Sequence, residues 1–101
     1  MKSEEEISLI LAGVNALVGE ITPCLRSVII QFEIEKIVFK CVFDETAKDD
    51  DFELMSAVAG EIIAHFPNYG LEEILIKISP PTSTGPLKNI LYHRHESNYL
   101  Q

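Results

Sequence analysis

A chain of 101 residues is one domain at the small end of the usual range, with room for a core but little interior for a deep cleft or buried cofactor. Hydrophobic residues make up 47% of it, which excludes a disordered chain, and no apolar run approaches the ~20 residues that span a bilayer. Sixteen acids against eight Lys plus Arg leave a formal net charge of −8, which disfavours nucleic acid and anionic membranes as partners.

Acidity often serves solubility alone, so charge by itself does not choose between that role and steering toward a basic partner. Met1 to Glu6 carry one Lys and three Glu, the opposite sign to a secretory leader, and the expected location is the cytosol. Ser3 followed by Glu4, Glu5 and Glu6 reads as a capping box, with Ser3 as N-cap and Glu6 reaching back. Ile7, Ile10, Leu11, Val14, Leu17 and Val18 then recur at helical spacing, so a first helix should lay this stripe on the core and end at Thr22-Pro23. From Arg26 the period shortens to two. Val28, Ile30 and Phe32, then Ile37, Phe39, Cys41 and Phe43, predict a β-hairpin turning around Glu33 to Lys36. Its second face carries Ile29, Val38 and Val42, which either the first helix or a partner should cover.

Glu45 to Asp51 reads as a charged loop, with Asp50 or Asp51 ready to cap a second helix. Phe52, Met55, Val58, Ala59, Ile62 and Phe66 form its apolar stripe, and Pro67 should stop it. Leu71 to Ser79 is a third strand with Ile74, Ile76 and Ile78 expected on the core face, beside Val28, Ile30, Phe32 and Phe39. Pro80 to Pro86 is a loop, Ile90 to His95 a fourth strand, and 96–101 a fraying end. The order α-β-β-α-β-β predicts one α+β domain over residues 1–101. Its two-layer sandwich should hold two helices on a four-stranded mixed sheet, with strands two and three parallel.

Chemistry is hard to find in this pattern. Cys24 and Cys41 stand in no ligand-spaced cluster and read as buried, reduced thiols, Cys24 being the more exposed; a disulfide is left open. His93 and His95 alternate on the fourth strand, a spacing a metal could use, but the only nearby third ligand is Glu96. His65 at the end of the second helix suits the dipole. Asp49-Asp50-Asp51 lacks the alternation of a calcium loop, and Gly85-Pro86 is no phosphate loop. No catalytic residue, metal or cofactor is expected.

Four stretches carry a family resemblance: Thr22-Pro23-Cys24-Leu25-Arg26-Ser27-Val28, Glu53-Leu54-Met55, Glu61-Ile62-Ile63-Ala64-His65-Phe66-Pro67 and Ile90-Leu91-Tyr92-His93-Arg94-His95-Glu96. In this order, over roughly residues 20 to 96, the chain resembles the small bacterial immunity proteins of contact-dependent growth inhibition systems. It departs at Cys24, where the pattern would carry Asn, and at His65, where it would carry Asp. The resemblance implies a non-catalytic cytosolic antidote that binds the C-terminal toxin domain of a sibling's delivery protein and blocks its active site. Many such toxins are nucleases with basic clefts, which an acidic protein could fill and reach quickly. The candidate contact surface is the run Asp44, Glu45, Asp49, Asp50, Asp51 and Glu53, followed by the hairpin tip, Glu33 and Glu35. Free, the chain is expected to be a monomer or weak homodimer. The alternative reading is a structural domain that dimerises through Ile29, Val38 and Val42.

Overall fold

A computed structural model describes residues 3–85 and 88–96. Helix α1 (Glu4–Leu17) is followed by strands β1 (Leu25–Glu33) and β2 (Lys36–Phe43), helix α2 (Asp49–Ile63), β3 (Gly70–Lys77) and β4 (Ile90–His93). The expected α+β order is therefore present, though β4 stops at His93 rather than His95. The sheet runs β3-β2-β1-β4; β2 and β3 are parallel, and β1 is antiparallel to both its neighbours.

Each helix begins as its first residues dictate. Ser3 Oγ accepts from the Glu6 amide at 3.1 Å, capping α1. At α2 the cap position is Lys48, not Asp50 or Asp51. Asp51 instead lies in the first turn, and its carboxylate accepts from the Lys48 amide at 2.8 Å. That bond satisfies the amide of the cap residue itself, another of the otherwise orphaned donors, from inside the helix.

The core lies between the two helices and one face of the sheet. Val28, Ile30, Ile37, Phe39, Cys41 and Phe43 meet Met55, Val58, Ala59 and Ile62 of α2, all buried. Each such side chain contributes ~1.5–3 kcal/mol on burial. Phe32 closes the edge of this core, 4.7 Å from the Tyr69 ring and 5.9 Å from that of Phe66.

One expected face is reversed and another is turned. In β3 the parallel register pairs Ile37 with Leu71 and Cys41 with Leu75, so Leu71 and Leu75 pack against the core. Ile74 and Ile76 pair with Lys40 and Val42 and face the other way. Each alternating set of β3 carries two aliphatic residues, and only the register chooses between them. In α1 the buried residues are Leu9, Gly13, Ala16 and Leu17; of the expected stripe Leu17 is buried and Ile10 packs against the core, while Ile7, Leu11, Val14 and Val18 are exposed. Gly13 explains the choice. A Cβ there would stand 2.4 Å from Leu91 Cδ1, so the bare backbone lets α1 close onto β4.

Part of the second face of the sheet is covered from within the chain rather than by the first helix. The strands β3 and β4 lie at opposite edges, and described residues of the chain between them lie on this face. Thr84 is buried, Gly85 lies beside Lys40 Nζ, and Lys88 lines a groove of about 270 Å³ with Ile29, Val38, Lys40 and Ile74. Val38 and Val42 are thereby buried within the chain, leaving only a half-buried Ile29 of the set proposed for dimerisation.

Candidate protein-binding surface

The acidic residues singled out in the sequence do not form one patch. Glu45, Asp49, Asp50 and Glu53 are exposed at the start of α2, and Asp51 is half-buried by its capping bond and its approach to Thr22 and Cys24. Glu33 and Glu35 lie at the hairpin tip, joined to the far end of α2 through Gly70, whose amide donates to the Glu35 carbonyl at 2.9 Å. The 15 residues of α2 separate the two groups by about 22 Å at 1.5 Å per residue. Glu33 also has its charge partly met by Lys36, 3.9 Å away.

Asp44 belongs elsewhere. It is 8% exposed, and its carboxylate accepts from Arg94 at 2.8 Å and from the Thr46 amide at 2.8 Å. Arg94 also donates to the Pro23 carbonyl and pairs with Glu96 at 3.0 Å. Glu96 in turn receives Arg26 Nε and Nη2, each at 2.8 Å, while Arg26 Nη1 reaches the Ile78 carbonyl at 2.6 Å. This network ties the end of β1 to the segment after β4. Arg26 hydrogen bonds hold the Glu96 carboxyl below its usual range against the opposing effect of burial. Burial pushes Asp44 up, but the Arg94 and Thr46 bonds outweigh it and leave its carboxyl lowered as well. Glu96, expected at a fraying end, is thus fixed; 97–101 lie outside the described residues.

The remaining candidates for chemistry are dispersed. Cys24 and Cys41 are both buried and free, and burial raises both thiols. His93 and His95 are exposed, and His95 is already beyond β4. Among the described residues no group of three or more His, Cys, Asp or Glu is placed to hold a metal ion. His65 follows the α2 C-cap and lines a cleft between the helices.

The helical layer has an unusual surface. Neither α1 nor α2 contains a Lys or Arg. The first carries Glu4, Glu5 and Glu6; the second carries Asp49, Asp50, Asp51, Glu53 and Glu61. Between these acids α1 turns outward an apolar row: Ile7 at 48% exposure, Leu11 at 58%, Val14 at 44% and Val18 at 74%, continued by Ile21. At 100° per residue this row lies roughly 150° around the helix from the buried face. Beside it, Leu11, Ala12, Ala16 and Phe66 floor an open cleft of about 710 Å³ with Glu4, Glu5 and Glu61 on its walls. The sequence reading identified the row but assigned it to the core. The signal it passed over is Leu9, Gly13 and Ala16 beside Leu17, whose small residues mark the side of close approach.

An acidic, apolar-striped layer is the kind of surface that meets another protein. The chain belongs to the MafI2 immunity protein family, whose family model matches residues 6–96. It is thereby an immunity protein, in line with the resemblance read from residues 20 to 96. No curated protein matches the chain.

Proposed function

We propose that this chain protects its own cell by binding, in the cytosol, the C-terminal domain of a cognate contact-dependent growth inhibition toxin and occluding its active site. The toxin in this reading is a nuclease. The observation that carries it is the excess of negative charge on the helical layer in a member of an immunity family, with exposed Lys48 at the α2 N-cap set among the acids. A nuclease must present basic groups to phosphates, and a surface in which acids so outnumber Lys and Arg is complementary to such a cleft. Glu45, Asp49, Asp50, Asp51 and Glu53 at the start of α2 are the proposed steering charges, with Glu33 and Glu35 at the hairpin tip as a secondary group. Asp44 acts with Arg94 inside the fold and is not part of this surface.

The test is protection. The cognate toxin domain is expressed from an inducible promoter, with and without the chain, and viable counts and nucleic-acid integrity are followed. Survival with intact nucleic acid only when both are present supports the reading. Death at equal rates with and without the chain refutes it, and protection from a toxin that leaves nucleic acid intact refutes the nuclease assignment.

A further inference from the structure

The geometry points to the outward row of α1, Ile7, Leu11, Val14 and Val18 with Ile21, as the apolar anchor of the toxin interface. Its occupant is a toxin segment of apolar side chains flanked by Lys or Arg. This inference rests on the proposed function and goes beyond it. It moves the binding energy from the acidic loop at the start of α2 to a helix face that the sequence pattern had assigned to the core.

A row of branched aliphatic side chains facing solvent along about three turns is not required by the fold, because Leu9, Gly13, Ala16 and Leu17 already seat the helix. Exposed apolar rows of this length on small soluble domains mark interaction sites. Charge decides which partner fits. The row is bounded at one end by Glu4, Glu5 and Glu61 around the interhelical cleft. At its other end, Ile21 adjoins Thr22, which Asp51 of the acidic run approaches. A second copy of the chain docked here would bring acids against acids with no Lys or Arg on either pair of helices to offset them. A partner with a basic rim around an apolar centre meets both features at once, the arrangement in which the core supplies residence time and the rim supplies encounter rate.

The test compares three proteins against the purified, catalytically inactivated cognate toxin domain: wild type, the Leu11→Ser/Val14→Ser/Val18→Ser variant, and Ile90→Ser. Ile90, on β4 and 45% exposed, controls for the loss of an exposed apolar residue away from the helices and the hairpin tip. The triple variant should keep its circular dichroism and melting temperature, since the replaced side chains are not in the core. Its affinity should fall roughly 100-fold, almost wholly through faster dissociation, while Ile90→Ser binds as wild type. Wild-type-like binding by the triple variant overturns the inference and leaves the proposed function standing. So does a wild-type dimer in sedimentation that the triple variant abolishes without loss of toxin affinity. A wild type that fails to bind the toxin at all removes the proposed function and this inference together.

Discussion

Replacing Glu96 by alanine deprives a buried guanidinium of its bidentate carboxylate, seventy residues away along the chain. The side chains of Arg26 and Glu96 are only 2% and 6% exposed, so water cannot take the carboxylate's place at little cost. Breaking a buried pair from one side costs ~3–5 kcal/mol, because the surviving charge loses its opposite charge while remaining desolvated. For a domain whose total stability is ~5–15 kcal/mol, that is about a fifth of the whole or more. At ~4–8 °C per kcal/mol for a domain near this size, the melting temperature should drop by roughly 12–40 °C. Equilibrium urea unfolding followed by circular dichroism measures it, with the slope serving as a check that the unfolded state is unchanged. The double variant Arg26→Met/Glu96→Leu removes both charges at once and should recover most of the loss. A loss under ~1 kcal/mol in Glu96→Ala, the range of an exposed ion pair, would refute the reasoning and place this segment outside the folded unit.

The same network sets an acid limit. Glu96 and Asp44 both have lowered pKa values in the fold, so their contribution is complete above the ordinary carboxylate range and is lost as pH falls below ~4. The urea midpoint should stay level from pH 8 to ~5 and then fall, less steeply in Glu96→Gln; a decline already under way at pH 6.5 would contradict this. Gly13→Val places a branched side chain where Leu91 already stands and should cost ~1–3 kcal/mol by lifting α1 from β4. Gly60→Ala in α2, where a Cβ meets open space, should stabilise by ~0.5–1 kcal/mol in the same melting assay. Asp49→Asn/Asp50→Asn/Asp51→Asn should keep the fold, since an Asn carbonyl can replace the Asp51 cap to Lys48. Stopped-flow association with the cognate toxin domain should then be slower and less salt-dependent, with dissociation little changed.

How far the sequence could be read depended on whether an element had one apolar set or two. Helix α2 has one, and Met55, Val58, Ala59 and Ile62 are buried where their spacing placed them. The hairpin was equally legible on its core face, because Val28 and Ile30 alternate toward Phe39 and Cys41 in the observed register. Helix α1 and β3 each offer aliphatic residues on more than one side; β3 turns Leu71 and Leu75 to the core, and α1 seats itself on Leu9, Gly13, Ala16 and Leu17 with Ile10 rather than on the rest of the longer stripe. Periodicity reports that a stripe exists, while the choice of side depends on neighbours such as Leu91 against Gly13 that come from distant parts of the chain. The Arg26–Glu96 and Asp44–Arg94 pairs were invisible for the same reason, so Asp44 counted as a surface acid. The cover on Val38 and Val42 follows from β3 and β4 lying at opposite sheet edges, which residue order does not reveal.

The central claim, that this chain is a toxin-neutralising binding protein, is tested most directly by titrating it into the active cognate toxin domain. Cleavage of labelled RNA and DNA is followed at a fixed toxin concentration. Neutralisation predicts that activity falls linearly to zero at a fixed stoichiometric ratio, with the chain itself producing no turnover. Undiminished cleavage at a tenfold excess of folded chain would contradict it.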